Sequence, residues 1–493
     1  MTNPGKSIRV VEGTIYLWAA KGFYLLSGYI IHVFLGRFLG LGDYGVFGTI
    51  LATASIFDLV VNTGVPQAVS RYLGIRESDV RAVFKTGLRC QLTICTVLSL
   101  AFLVCAKLLA GWVLNDHSLT PYLRLLAISF IPVGLLRLYT SALLGVHEYF
   151  KASVLYSVES FFRLCLVVIL VLMGWRVFGA IWGYVLAAVL PLVWAHWSYD
   201  FKETESKRTI GARTLLAFSL PLIIFAGLSS LFLNVGTLMV KGLLRADRAV
   251  GLYVAASVLA NAPYHLFGSI RGVLMPALSY ADGGESVELI KKYIGKGLRV
   301  MVFFLVPVIV FLSLNAERII SAFYGNAFSG AGMALKILVV GIGSLALGST
   351  FCVLFDAKGH PWVSVGFLGI SLAVSITGNF ILIPRAGILG AATATLMAGT
   401  MLCCLSGGYV FLRYGSCLPY LSLGRVVLAG ILAYGGGYYA MNQSLGLFWS
   451  NLLVGSIYVC ALFMLGELKQ DKPTMRRLLS PLLRYIDSEN SGE

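Results

Sequence analysis

Charge is scarce in this chain: Asp, Glu, Lys and Arg make up 12% of its 493 residues, against about a quarter in a soluble domain. A soluble helical protein is excluded, because no polar face balances the apolar runs. The nine cysteines form no CxxC pair, so neither a disulfide framework nor a zinc site is supported. Eight fall in apolar runs and Cys417 on a loop, as small buried hydrophobes would. There is no GxxxxGK[ST], and no GxGxxG follows a strand. No nucleotide site, metal site or cofactor is therefore expected.

Apolar sequence is abundant, with 58% of positions hydrophobic. Stretches of about 20 such residues cross a hydrocarbon layer as helices. Fourteen are expected, at about 12–36, 44–70, 84–110, 121–146, 153–173, 178–198, 213–240, 249–276, 297–314, 331–356, 362–383, 388–412, 423–441 and 449–467. The start, MTNPGKSIRVVEGT, reads as a short polar lead without a signal-peptide pattern. Net charge is +16, which could suggest nucleic acid, but its distribution argues against that partner. With the N-terminus in the cytoplasm, 24 Lys and Arg fall on cytoplasmic segments, 7 on outer loops and 7 within spans. Arg71, Arg76, Arg81, Lys85 and Arg89 share one cytoplasmic loop. This is the positive-inside asymmetry, and an even span count returns the C-terminus to the cytoplasm. The tail KQDKPTMRRLLSPLLRYI and the stretch VELIKKYIGKGL read as interfacial amphipathic helices.

Two sequence blocks recur. Gly45-Val46-Phe47 falls on Gly251-Leu252-Tyr253 at an offset of 206, and Ser153-Val154 and Gly179-Ala180 fall on Ser364-Val365 and Gly390-Ala391 at 211. Spans 1–6 and 7–12 thus read as two parallel copies of one six-helix unit, a transporter design with its site at the repeat interface. Gly40, Gly42 and Gly45 are expected to permit one tight turn, and Gly387 and Gly390 another beside Pro384.

A charge at the bilayer centre costs about 2.5–3.5 kcal/mol on insertion scales, so it needs a partner or a watery cavity. Glu159 and Arg163 stand four residues apart in span 5, a spacing that lets them pair. Tyr156 shares their stripe. Lys21 and His32 lie in span 1, Asp58 and Asn62 in span 2, and Arg137 in span 4. Asn261, Tyr264, His265 and Arg271 share part of the span 8 circumference.

The chain resembles the polysaccharide transporters of the multidrug/oligosaccharidyl-lipid/polysaccharide superfamily. The resemblance rests on RFLGLGDYGVFG and its echo VGLYVAA, on DLVVNTGVPQAVSRYLG ending span 2, and on NFILIPRAGILGAATAT across spans 11–12. It covers about residues 8–467 and implies an all-α integral membrane protein with fourteen transmembrane helices. Two pseudosymmetric six-helix lobes, 1–205 and 206–413, would work by alternating access. Two C-terminal helices, 414–467, and a cytoplasmic amphipathic tail, 468–493, would follow. The implied activity is flipping a polyprenyl-pyrophosphate-linked oligosaccharide, such as an O-antigen unit, across the plasma (inner) membrane. Its implied partners are that lipid, the bilayer, and a polysaccharide polymerase with its chain-length machinery. Lys21, Arg137, Arg163, Arg271, Asn261 and His265 would then receive the pyrophosphate, whose oxygens Arg binds bidentately. Asp58 and Glu159 would balance charge or couple transport. Lipid II flipping is the near alternative. A cation-coupled drug exporter fits less well, because the in-span charges lean cationic. An enzyme on the same sugars fits least, because the outer loops offer Asp43, Asp116 and Asp247 one at a time, without a pair.

Overall fold

The computed structural model describes residues 4–74, 79–199, 210–268, 274, 278, 287–358, 360–415, 420–442 and 447–467. Among these the chain is helical with no strand: α1 (Pro4–Leu73), α2 (Val80–Leu108), α3 (Thr120–Gly145), α4 (Tyr149–Leu170), α5 (Arg176–Ser198), α6 (Ala212–Leu244), α7 (Asp247–Ala260), α8 (Val287–Leu314), α9 (Ala316–Tyr324), α10 (Gly332–Ala357), α11 (Pro361–Tyr414), α12 (Tyr420–Asn442) and α13 (Leu447–Met464). Arg76, Arg271, Cys417 and the amphipathic tail lie outside the described residues.

Ten described helical stretches are long and apolar enough to cross a membrane, and Trp449–Met464 is a shorter apolar helix. The chain is a multi-pass membrane protein. Three of the stretches, Ile15–Leu73, Tyr149–Ser198 and Pro361–Arg413, run 59, 50 and 53 residues. Straight, each would be about 75 Å or longer, more than twice the roughly 30 Å hydrocarbon layer. Each is instead broken at a glycine with positive φ: Gly40 at 75°, Gly174 at 90° (with Arg176 also at 46°) and Gly387 at 59°. A Cβ there would cost about 1–2 kcal/mol, so the chain reverses where glycine stands. The turns expected of Gly40, Gly42 and Gly45, and of Gly387 and Gly390, narrow to Gly40 and Gly387. Gly45 and Gly390 instead pack against neighbouring backbone, while a Cβ on Gly42 would meet nothing within 4 Å. VELIKKYIGKGL is no separate interfacial helix: Val287 opens α8, which continues unbroken to Leu314.

The chain forms two compact units. One comprises Met1–Ala260, Glu317–Gly341 and Pro361–Leu402, the other Asn261–Ala316, Ile342–His360 and Cys403–Glu493. In the second, Val302, Val310 and Leu314 of α8 share a core with Val426 and Ala429 of α12 and Val454 and Tyr458 of α13. Glu467, just past α13, is buried and ties the three helices together. Its Oε1 lies 2.6 Å from Arg299 Nε and accepts from Ser422, and its Oε2 lies 3.6 Å from Arg425.

In the first unit the repeat-matched glycines meet each other. A Cβ on Gly45 would clash with the Asp247 carbonyl oxygen, and one on Gly251 with the Leu41 carbonyl oxygen. Leu41 and Asp247 are themselves 206 residues apart, so the contact is reciprocal. The second block behaves similarly. A Cβ on Gly183 would come within 2.6 Å of Val167, and one on Gly378 within 3.1 Å of Ala394. Adding 211 to 167 and 183 gives 378 and 394. Both copies make the same helix crossing, with the small residue on opposite partners.

Near the Gly45–Gly251 crossing, the loop after α2 is fastened to the turn between α6 and α7. Lys241 Nζ lies 2.6 Å from Asp116 and 2.5 Å from Asp247, with the lysine side chain 2% exposed. Asn115 Nδ2 donates to the Gly242 carbonyl at 2.9 Å. Asp116 and Asp247 were expected to stand singly, yet both converge on one lysine. Burial alone would raise the Asp116 carboxyl, but hydrogen bonds from Lys241 and Ser118 outweigh it and hold it below its ordinary value. A depressed carboxyl stabilises the fold above its unfolded value of about 3.9 and loses that contribution as pH falls through the folded value. Lys241→Met should therefore cost about 1.5–3 kcal/mol at pH 7, by removing charge-assisted hydrogen bonds to two partly exposed carboxylates. In thermal unfolding of detergent-solubilised protein the deficit should shrink as pH falls from 7 toward 3. A deficit constant over that range would contradict the assignment.

Candidate functional site

Five helical segments of the first unit bring their polar stripes together. The first half of α1 supplies Tyr24 and Ser27, its second half Asp58 and Asn62, α3 Arg137, α4 Tyr156, Glu159 and Arg163, and α5 Tyr184. Helical spacing does much of this, since Tyr156, Glu159 and Arg163 recur at three and four residues and share one face. Arg137, Glu159 and Arg163 are all buried, at 9%, 5% and 6% exposure.

Glu159 does not hydrogen-bond Arg163, as the sequence spacing suggested. Its Oε1 accepts from Arg137 Nη2 of α3 at 2.7 Å. An interhelical partner can meet a carboxylate head-on, whereas a neighbour on the same helix must bend back along the surface. Arg163 turns instead to α1. Its Nη2 donates to the Tyr24 carbonyl and to Ser27 Oγ, both at 3.0 Å. Ser27 passes its own proton to the same carbonyl at 2.9 Å.

Three tyrosine rings surround the two guanidiniums. Arg163 Cζ stands 4.1 Å from the Tyr24 centroid and 5.6 Å from that of Tyr184. Arg137 Cζ stands 5.4 Å from Tyr24 and 5.3 Å from Tyr156. Each aromatic face attracts a cation by about 0.5–2 kcal/mol, which offsets part of the cost of burying it.

The cluster remains unsatisfied. Arg137 Nη1, Arg163 Nε, Glu159 Oε2 and Asn62 Oδ1 are buried with no hydrogen-bond partner among the described residues. An unmet buried polar atom costs about 1–3 kcal/mol, and the three on Arg137, Arg163 and Glu159 mark somewhere a polar guest would be welcome.

The other expected residues are placed as follows. Asp58 is half-buried on α1, within electrostatic reach of Arg137 and Glu159. Lys21 is exposed on α1. His32 lies within electrostatic reach of Arg163 but hydrogen-bonds elsewhere, with Nδ1 3.1 Å from the Tyr44 hydroxyl and its ring edge-on to Tyr44 and Phe47. Asn261 and His265 belong to the second unit. Asn261 Oδ1 is buried and unpartnered among the described residues, while His265 is exposed, its ring set edge-on to Tyr264. Among described residues no group of three or more His, Cys, Asp or Glu could hold a metal. Sequence reasoning missed Tyr24, Ser27 and Tyr184. Their uncharged side chains carry no signal in an apolar span until the arginines are located.

Residues 34–332 match the family described as polysaccharide biosynthesis protein. A probable lipid II flippase MurJ of Rhizobium meliloti (strain 1021) is 23% identical over 383 residues, 71% of this chain and 69% of that protein. Among solved structures, a lipid II flippase MurJ in an inward closed conformation superposes with a TM-score of 0.72 at 15% identity, covering 92% of this chain and 98% of that one. An inward-facing multidrug resistance MATE family transporter of the MOP superfamily gives 0.67 at 15% identity, covering 80% and 95%. The chain has the fold these transporters share.

The geometry ranks the charges. Arg137→Gln leaves Glu159 buried and uncompensated, and should cost about 3–5 kcal/mol. Arg163→Gln removes hydrogen bonds to neutral acceptors, and should cost about 1–3 kcal/mol. Adding Glu159→Gln should recover most of the first loss and little of the second. Thermal unfolding of the four proteins checks this order, and a reversed order would restore the pairing within α4.

Proposed function

We propose a function from one premise: the chain belongs to the family described as polysaccharide biosynthesis protein. It is a flippase of the MOP superfamily that carries a polyprenyl-pyrophosphate-linked oligosaccharide, a surface-polysaccharide unit such as O-antigen, from the inner to the outer leaflet of the plasma membrane. It moves the lipid without chemical change, by alternating access between lobes 1–205 and 206–413, in a chain of fourteen spans with both termini cytoplasmic. A polymerase and chain-length machinery receive the product.

One observation carries the reading: the buried N–H groups on Arg137 and Arg163 that lack partners among the described residues. A diphosphate brings several charged acceptor oxygens and could take both. Glu159 already hydrogen-bonds Arg137, whereas Arg163, among the described residues, hydrogen-bonds a carbonyl and a hydroxyl and lies over rings, with Glu159 acting on it through space. Arg163 is therefore the freer anion ligand, with Arg137 second. Lys21, Arg271, Asn261 and His265 are proposed as further headgroup ligands, and Asp58 and Glu159 as the groups that keep the arginines from holding the headgroup too tightly.

A second reading is lipid II as cargo, favoured by the likeness to MurJ proteins in sequence and fold. Both cargoes present a polyprenyl diphosphate, so the same cluster serves either, and the sugar decides between them.

The test is complementation in two strains, one blocked in flipping a surface-polysaccharide unit and one depleted of its lipid II flippase. The wild-type gene should restore surface polymer in the first. Arg163→Ala should abolish that rescue at unchanged membrane level, and Arg163→Lys should restore part of it, keeping the charge but losing the planar fork. Rescue of only the second strain would establish the lipid II reading. Rescue by Arg163→Ala at wild-type level would remove Arg163 from the site.

A further inference from the structure

Tyr24 touches both buried arginines, through three different atoms or groups. Its carbonyl accepts from Arg163 Nη2 at 3.0 Å. Its ring lies 4.1 Å below the Arg163 guanidinium and 5.4 Å from that of Arg137. Its hydroxyl stands 3.5 Å from Arg137 Nη2. No other residue contacts both cations in this way among the described residues. The arginines come from α3 and α4, carry like charge and would repel each other in a medium of low dielectric. The electron-rich face of one ring attracts both and so holds them on a common support. Each guanidinium keeps one nitrogen without a partner among the described residues: Nη1 on Arg137 and Nε on Arg163.

We infer that Tyr24 is a positioning residue for anion recognition, setting the two guanidiniums at the separation at which one diphosphate can bridge their free N–H groups. This rests on the reading of the cluster as the headgroup site. A single phosphate would satisfy one arginine and leave the other unmet. Spacing set by Tyr24 therefore favours diphosphate over monophosphate, which is a selectivity and not affinity alone.

The division of labour within the residue is testable. The backbone carbonyl survives any substitution, so side-chain variants isolate the ring and hydroxyl. Tyr24→Phe keeps the ring and removes the long hydroxyl contact. Tyr24→Leu and Tyr24→Met remove the ring while keeping apolar volume, and Met stands in if Leu lowers the melting temperature.

The experiment titrates the full-length protein in detergent with inorganic pyrophosphate and with inorganic phosphate, by calorimetry. Wild type should bind pyrophosphate more tightly than phosphate. Tyr24→Phe should stay within about twofold of wild type for pyrophosphate, while Tyr24→Leu or Tyr24→Met weakens pyrophosphate about tenfold and phosphate about twofold or less. In an Arg163→Gln background the ring's removal should cost less than threefold, because with one arginine gone there is no pair left for Tyr24 to space. A purely structural role would lower the melting temperature and weaken both anions alike, without this coupling. If wild type prefers pyrophosphate and the ringless variants keep that preference, Tyr24 does not position the arginines and the headgroup reading stands. If wild type binds neither anion, the headgroup reading falls and the inference falls with it.

Discussion

A guanidinium inside a membrane protein must be surrounded on every side, and that constraint organises the polar interior of the first unit. Arg137 and Arg163 are each more than nine-tenths buried. One is answered by a carboxylate from another helix, the other by a main-chain carbonyl and a serine hydroxyl. Both share the Tyr24 ring. The solution is incomplete, since each arginine keeps one nitrogen unpartnered among the described residues. A protein selected only for stability would pair these groups or replace them with packed apolar residues. Their retention is the physical basis for assigning a guest to this place.

Elsewhere the first unit satisfies its charges more fully. Lys241 is buried between two aspartates, close to the reciprocal crossing of Gly45 and Gly251. In the second unit, Glu467 receives two arginines and a serine. Both are ties between segments distant in sequence, and they fix helices where apolar packing alone would let them slide, because lipid is as apolar as leucine. The Arg137–Glu159–Arg163 cluster differs from both by the number of buried polar atoms it leaves unmet.

Much of the fold was legible in the sequence, because hydropathy reports helices and small residues report crossings. The two repeat offsets reappear as reciprocal glycine contacts in one block and a matched helix crossing in the other. The in-span charges located the cluster, since a charge in a greasy stretch has few places to go. The partners were not legible. Spacing along α4 suggested Glu159 with Arg163, but spacing sees only one helix, and Arg137 arrives from another. Tyr24 and Ser27 were invisible because their part is played by a ring face, a carbonyl and a hydroxyl, none of which stands out in composition. Lys241 follows an apolar span, and nothing in its sequence neighbourhood announces its partners. Only the fold brings two loop aspartates to it.

The central claim is that the buried arginine pair holds a diphosphate headgroup, and native mass spectrometry of the full-length protein in nanodiscs tests it most directly. The protein is offered equal amounts of a polyprenyl diphosphate and the matching polyprenyl monophosphate. The account predicts a one-to-one complex dominated by the diphosphate, lost when Arg137→Gln and Arg163→Gln are combined with Glu159→Gln, which removes the counter-charge of Arg137 along with it. Equal retention of both lipids by wild type, or undiminished diphosphate binding by that triple variant, would contradict it.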